Sequence, residues 1–306
     1  MNEEYSATPI LVLGFNRPEL IDSRIRELNE MRAPIVRVSI DGGTNSKQDE
    51  IKAVITGAIQ SFNGKSMPDI LYRERNLGLS QHITLAITEV LQQYERVIVV
   101  EDDIVLSPNF YSNMLHAFAT QENNHKIGLI GGFSSLHPPK TFAIRNAWRS
   151  TPYVSIWGWG VTREIWSEYQ LDLKGIAIEE SLRNSESWKS LSDWQRKVWL
   201  GRFSKISNGP LHTWDIQLQY LSFKLDLSNL LPLFRFVQNE GFNDERSAHT
   251  QGKRPRWMDN DKIDKRKIEN PRISKLSSVF SKLLDSNTIA GDSKMIKIRS
   301  KVRKFI

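Results

Sequence analysis

The 306-residue chain contains no cysteine. Disulfides and thiolate zinc sites are therefore excluded, and the absence fits a reducing compartment. It also lacks any apolar run close to the roughly 20 residues that a bilayer-spanning helix needs. The first residues, Met1 to Tyr5, are acidic and carry no apolar core. No secretory signal is expected from them, and the expected location is cytoplasmic. Two nucleotide-binding fingerprints, G-x-x-x-x-G-K-S/T and G-x-G-x-x-G, are missing, so P-loop and dinucleotide readings lack their marker. Net positive charge is missing from most of the chain. The formal net charge is +7, yet residues 271–306 hold nine Lys/Arg against two Asp, and the preceding 270 residues balance. A nucleic-acid enzyme spreads basic residues along a groove of its fold, so no nucleic-acid partner is expected.

What is present begins with one stretch. Val97-Ile98-Val99-Val100 runs directly into Glu101-Asp102-Asp103. A continuous β-branched run predicts a strand buried on both faces. Ligands bind at the C-terminal ends of such strands. Three carboxylates there repel one another unless a cation sits among them, and a hard divalent ion with oxygen ligands suits them.

The flanking chain alternates. Pro9 to Phe15, Ile35 to Ile40, Ile70 to Tyr72 and Val97 to Val100 read as strands. Helical spacing of Ile21, Ile25, Leu28 and Met31, a helix over 51–62, and Ile83, Ala86, Ile87, Val90 and Leu91 fill the gaps. This β-α-β-α-β-α-β order predicts a parallel, doubly wound sheet. Each strand ends in a polar cluster: Asn16-Arg17, Asp41-Gly42-Gly43, Arg75-Asn76, and the acid triplet. Further on, a helix is expected over 108–118, a strand over 126–130, glycine-flanked indoles at Trp157 and Trp159, and a helix over 162–169. A polar helical insertion is expected over 171–210, a helix starting near Asp215, and a strand and turn over 236–242.

The order of these motifs resembles the GT-A class of nucleotide-sugar glycosyltransferases. The likeness rests on Pro9–Asn16, Asp41-Gly42-Gly43, Arg75-Asn76-Leu77-Gly78 and Val99-Val100-Glu101-Asp102-Asp103. The last is similar to the Asp-x-Asp element of that class, in the form of the N-acetylglucosaminyltransferase I family. Ser107-Pro108-Asn109-Phe110 and Trp157-Gly158-Trp159 continue it, and Asn239-Glu240-Gly241 through His249-Thr250 resembles bacterial transferases of surface polysaccharides. The resemblance implies an α/β GT-A fold, Rossmann-like, with a mainly parallel sheet flanked by helices. It implies a nucleotide-diphospho-sugar donor, a divalent cation (Mn²⁺ or Mg²⁺), and a glycan or lipid-linked glycan acceptor.

Within that reading Asp103 is the first metal ligand and His249 completes the metal site. Glu101 and Asp102 position the ribose or bind through water. Asp41 lies where the class holds the base or ribose, although an Asp-Gly pair also suits a plain turn. Arg75 and Asn76 face base or phosphate. Arg17, next to Asn16, is either a phosphate contact or a helix-start charge. One of Trp157 and Trp159 forms a pocket wall. Asp215 is the expected base of an inverting transfer, set against its ordinary use as a helix cap.

The implied organisation is a nucleotide-sugar half (1–132), an acceptor half (133–255) carrying the insertion, and a basic amphipathic tail (256–306) suited to an anionic membrane surface or a protein partner. Two alternatives stand beside it. One is a sugar-phosphate nucleotidyltransferase, although Gly14-Phe15-Asn16-Arg17-Pro18 lacks the glycine-rich basic loop of that class. The other is a degenerate domain that binds or scaffolds without turnover.

Overall fold

Apolar residues at every position of a strand require cover on both faces, and the computed structural model provides it. The described residues are 8–64, 66–122, 127–134, 147–210, 213–242, 246, 263–268 and 272–273. The first half runs β1 (Ile10–Gly14), α1 (Pro18–Glu30), β2 (Val36–Ile40), α2 (Asn45–Gln60), β3 (Asp69–Tyr72), α3 (Leu79–Gln93) and β4 (Arg96–Glu101). These strands are parallel in the order β3-β2-β1-β4. Side chains alternate between two cores. Ile10, Val12, Ile98 and Val100 pack with α1 and α2, whereas Leu11, Leu13, Val97 and Val99 pack with α3. The expected alternation and mainly parallel sheet are present, and α2 begins six residues earlier than its apolar spacing suggests.

The second half extends the same sheet. It comprises β5 (Ile104–Leu106), α4 (Phe110–Glu122), β6 (Ile127–Gly131), β7 (Ala147–Thr151), β8 (Trp159–Thr162) and α5 (Arg163–Trp166). The helices α6 (Ile178–Leu182), α7 (Glu186–Lys189), α8 (Asp193–Asn208) and α9 (Asp215–Lys224) follow, then β9 (Ser228–Pro232), β10 (Val237–Asn239) and β11 (Arg272–Ile273). Among the described residues the large sheet has nine strands, in the order β11-β7-β9-β6-β8-β4-β1-β2-β3, and β5 pairs with β10 separately. The strand β8 runs antiparallel between β4 and β6, so one sheet continues across position 132.

Several elements differ from expectation. The helix expected over 162–169 is a single turn, capped by the Thr162 side chain. The strands β7 and β9 were not expected, because Ala-Trp-Arg-Ser-Thr and Ser-Asn-Leu-Leu-Pro lack a β-branched run. The insertion is helical as expected, and Ser192 and Gln195 form a capping box at the start of α8. It has its own core, in which Leu173, Leu182, Trp188, Trp199 and Phe203 pack on Tyr220 and Phe223 of α9.

The start of the expected tail is part of the fold. Asn109 and Asn113 of the α4 region donate to the carbonyls of Lys265 (2.7 Å) and Arg266 (3.1 Å). Ile268 is buried, and its N–H donates to Asn113 at 2.9 Å. The amphipathic stripes expected beyond residue 273 lie outside the described residues. No described helix is long and apolar enough to cross a membrane.

Candidate active site

The chain returns from β3 to β4 on the far side of β1, so strand order reverses between β1 and β4. Such a switch point opens a crevice at the C-terminal strand ends. Leu13 is level with Glu101, and the Asp102 N–H donates to the Leu13 carbonyl at 3.0 Å. The polar residues after both strands therefore share one spot.

The charge that meets the acids among the described residues is a guanidinium and not the divalent ion expected there. Arg17, at the start of α1, contacts the Asp102 carboxylate with two nitrogens, one at 3.2 Å, and reaches Asp103 at 3.2 Å. Both aspartates are buried. Burial pushes Asp102 up to about 7 against the pull of Arg17. Asp103 is raised by the same burial and again held down by Arg17. Glu101, at the end of β4, is raised well above the carboxylate range, first by burial and then by Asp103, Asp102 and Asp215. A second arginine of α1 stands behind them. Arg24 is 2% exposed and pairs with Glu27 (3.0 Å) and Glu240 (3.5 Å), and its charge also draws down Asp102 and Asp103.

Asp215 belongs to this neighbourhood, since its charge acts on Glu101. It is the first residue of α9, following Trp214 as cap, and the Thr213 hydroxyl donates to its carboxylate. Trp157 precedes β8. The antiparallel register of β8 on β4 ends with Val99 opposite Trp159. A cavity of about 400 Å³ opens here, lined by Trp157, Val154, Trp199, Arg202, Asp215 and Gln219 among others.

The remaining expected residues sit differently. Asn16 is half-buried, beside Arg17. Trp159 is 1% exposed and packs between Trp214 (5.6 Å, stacked) and Trp166 (6.2 Å), so of the two indoles Trp157 is the one that lines the cavity. Asp41 is buried at the end of β2, and its carboxylate accepts from the N–H groups of Gly42 (2.8 Å), Leu77 (2.9 Å) and Gly78 (3.0 Å). It latches the loop before α3 onto the sheet. Arg75 and Asn76 are exposed after β3, and Asn76 accepts from the Gly78 N–H at 2.8 Å. Three strand spacings, about 14 Å, separate β3 from β4. His249 lies outside the described residues.

Two contributors were missed in the sequence, Arg202 and Trp199, both on α8. Their i, i+3 spacing was a signal that both share one helix face. It said nothing of what that face meets.

No family model matches the sequence. No curated protein matches it either. Among solved structures, the UDP-glucose pyrophosphorylase complexed with UDP-glucose is similar over 74% of this chain and 90% of that one, at 10% identity and a TM-score of 0.34. A likeness at that score assigns no function.

Proposed function

We propose that the chain is a glycosyltransferase that moves a sugar from a nucleotide-diphosphate donor to a glycan hydroxyl with inversion. The observation that supports this reading most is the meeting of Arg17 and the acid triplet, at the β1/β4 crevice, with Asp215 at a helix start. In the reaction Asp215 takes the proton of the acceptor hydroxyl. The acceptor oxygen forms its bond to the anomeric carbon as the bond to the diphosphate breaks, and the diphosphate leaves with the electron pair. Arg17 is the cation placed to meet that growing negative charge, while Asp41, Arg75 and Asn76 border the side toward the nucleoside.

The described residues do not fit a resident divalent ion. No group of three or more His, Asp or Glu side chains among them is arranged to hold one, and Asp102 and Asp103 are both engaged by Arg17. A cation in this reading arrives with the donor diphosphate as part of the substrate. Assignment to surface-polysaccharide synthesis, and a membrane-bound acceptor reached through the C-terminal tail, rest on the sequence resemblance alone.

The test is thermal stabilisation by a panel of nucleoside diphosphates, with and without Mn²⁺, for the wild type, Arg17→Gln and Asp215→Asn. One nucleotide should stabilise the wild type and Asp215→Asn but not Arg17→Gln. Turnover of the matching nucleotide sugar should fall about 10²–10⁴-fold in Asp215→Asn. If no nucleotide stabilises the folded wild type, the reading is wrong.

A further inference from the structure

The insertion has no counterpart in the motifs that carry the resemblance, yet α8 reaches the cavity beside Asp215. Its Arg202 guanidinium lies 4.5 Å from the centre of the Trp199 ring. Burial lowers the pKa of Arg202 and the Asp215 charge raises it, so the two side chains act on one another across the cavity. Trp157 also lines it, packed on Phe133 at 4.5 Å and edge-on to Phe242 at 6.2 Å. The segment before it is fixed. Gln219 of α9 accepts from the Val154 N–H (3.0 Å) and donates to the Pro152 carbonyl (2.8 Å). The cavity of about 400 Å³ is therefore walled by rigid groups from three separate parts of the chain.

Flat aromatic walls with a few convergent polar groups suit a ligand that has apolar faces and a polar rim. A pyranose ring is such a ligand: its C–H faces meet an indole and its hydroxyls reach Arg202 and Asp215. Charge narrows the class further. Asp215 lines this space and opposes the Arg202 charge, so the lining offers no unopposed cation to an added carboxylate.

We infer that this cavity is the acceptor subsite, that it takes an uncharged terminal hexose, and that α8 of the insertion selects the acceptor through Arg202. The inference rests on the proposed transfer reaction and adds the acceptor class. Its meaning for the insertion is specific. Residues 171–210 are an acceptor-reading module built onto a nucleotide-sugar fold.

The experiment is ligand-observed saturation-transfer NMR on the full chain. The probes are methyl glucoside, methyl galactoside, methyl mannoside and methyl glucuronide, each with and without a saturating nucleoside diphosphate. One neutral glycoside should bind the wild type and weaken at least tenfold in Arg202→Gln and in Trp157→Ala. Nucleoside diphosphate binding should persist in Arg202→Gln, which separates this subsite from the donor site. Tighter binding of the glucuronide, or equal neutral-sugar binding in Arg202→Gln, would overturn the inference. Nucleotide binding without any glycoside binding to the wild type would overturn it too, while leaving the transferase reading intact. Glycoside binding without nucleotide binding would remove the transferase reading and, with it, the assignment of the cavity as an acceptor subsite.

Discussion

Arg17 changes what the acid triplet means. The three carboxylates at 101–103 are visible as neighbours in sequence, and their need for a cation follows from Coulomb repulsion alone. The partner lies 85 residues away. Only the reversal of strand order between β1 and β4 brings it there, and no spacing in the chain reports that reversal. Removing the guanidinium strands two buried carboxylates. Arg17→Ala is expected to cost about 3–5 kcal/mol in chemical denaturation. Adding Asp102→Asn to that variant should recover part of the loss. A loss under about 1 kcal/mol would mean that Arg24 alone is enough counter-charge.

A second residue carries its charge for a structural reason. Asp226 accepts from the N–H groups of Glu186 (2.8 Å) and Ser187 (2.7 Å) and from the hydroxyls of Ser185 (2.8 Å) and Ser187 (2.7 Å). Burial would raise its pKa, but these four donors bring it down to about 2. The folded pKa lies below the unfolded one, so this contribution is present above pH 4 and is lost as pH falls from about 4 to about 2. Asp226 is exposed and has a positive φ of 52°, a conformation that Asn also tolerates. Asp226→Ala should therefore cost about 1 kcal/mol at pH 7 and Asp226→Asn less. The difference in stability between the wild type and Asp226→Asn should vanish near pH 2 in a urea-melt series.

At the scale of elements, legibility followed burial. The strands β1 and β4 are apolar on both faces because helices cover both, so they could be read directly. In contrast, β9 contains an asparagine and a proline, which argue against a central strand, yet it lies between β6 and β7. The reason is a bulge. Ile127 pairs with Ser228 and Ile130 with Leu230, so β6 has one residue too many beside the Leu129 N–H. The Asn229 side chain accepts from that N–H at 2.8 Å and donates to the Ser222 hydroxyl at 2.7 Å. The residue that hid the strand is the one that allows it. Asn229→Leu matches the volume closely but leaves a buried donor unpaired, and should cost about 2–3 kcal/mol. Asn229→Asp, which keeps the acceptor and loses the donor to Ser222, gives the second arm of the same denaturation series. Equal stability of Asn229→Leu and wild type would show that β6 and β9 can slip into register without the bulge.

For the whole molecule the question is whether the acid crevice and the insertion stand or fall together. The helix α9 links them. Leu218 and Leu221 belong to the sheet's core, and Tyr220 and Phe223 belong to the insertion's core. Asp215, at the head of this helix, is therefore positioned by both. Arg17, Asp102 and Asp103 are held by β1, β4 and α1, and by the Glu240 N–H that donates to the Asp103 carbonyl at 2.9 Å, none of which belongs to the insertion. Phe203 offers a way to separate the two regions. It is fully buried in the insertion, stacked on Trp199 at 5.7 Å and edge-on to Tyr220 at 5.6 Å. Phe203→Ala opens a cavity in that core and should cost about 3–5 kcal/mol of local stability. Hydrogen exchange should speed up over 178–208 and at the start of α9, while β1, β2 and β4 keep their protection. Nucleoside diphosphates should still raise the melting temperature of the variant, whereas transfer to an acceptor should fall. Such an outcome would mean that the donor crevice is a self-sufficient unit of the fold and that the insertion governs only what is glycosylated. If exchange instead accelerated equally across the central strands, the three cores would form one cooperative unit, and any change of acceptor specificity through α8 would cost stability in the whole molecule.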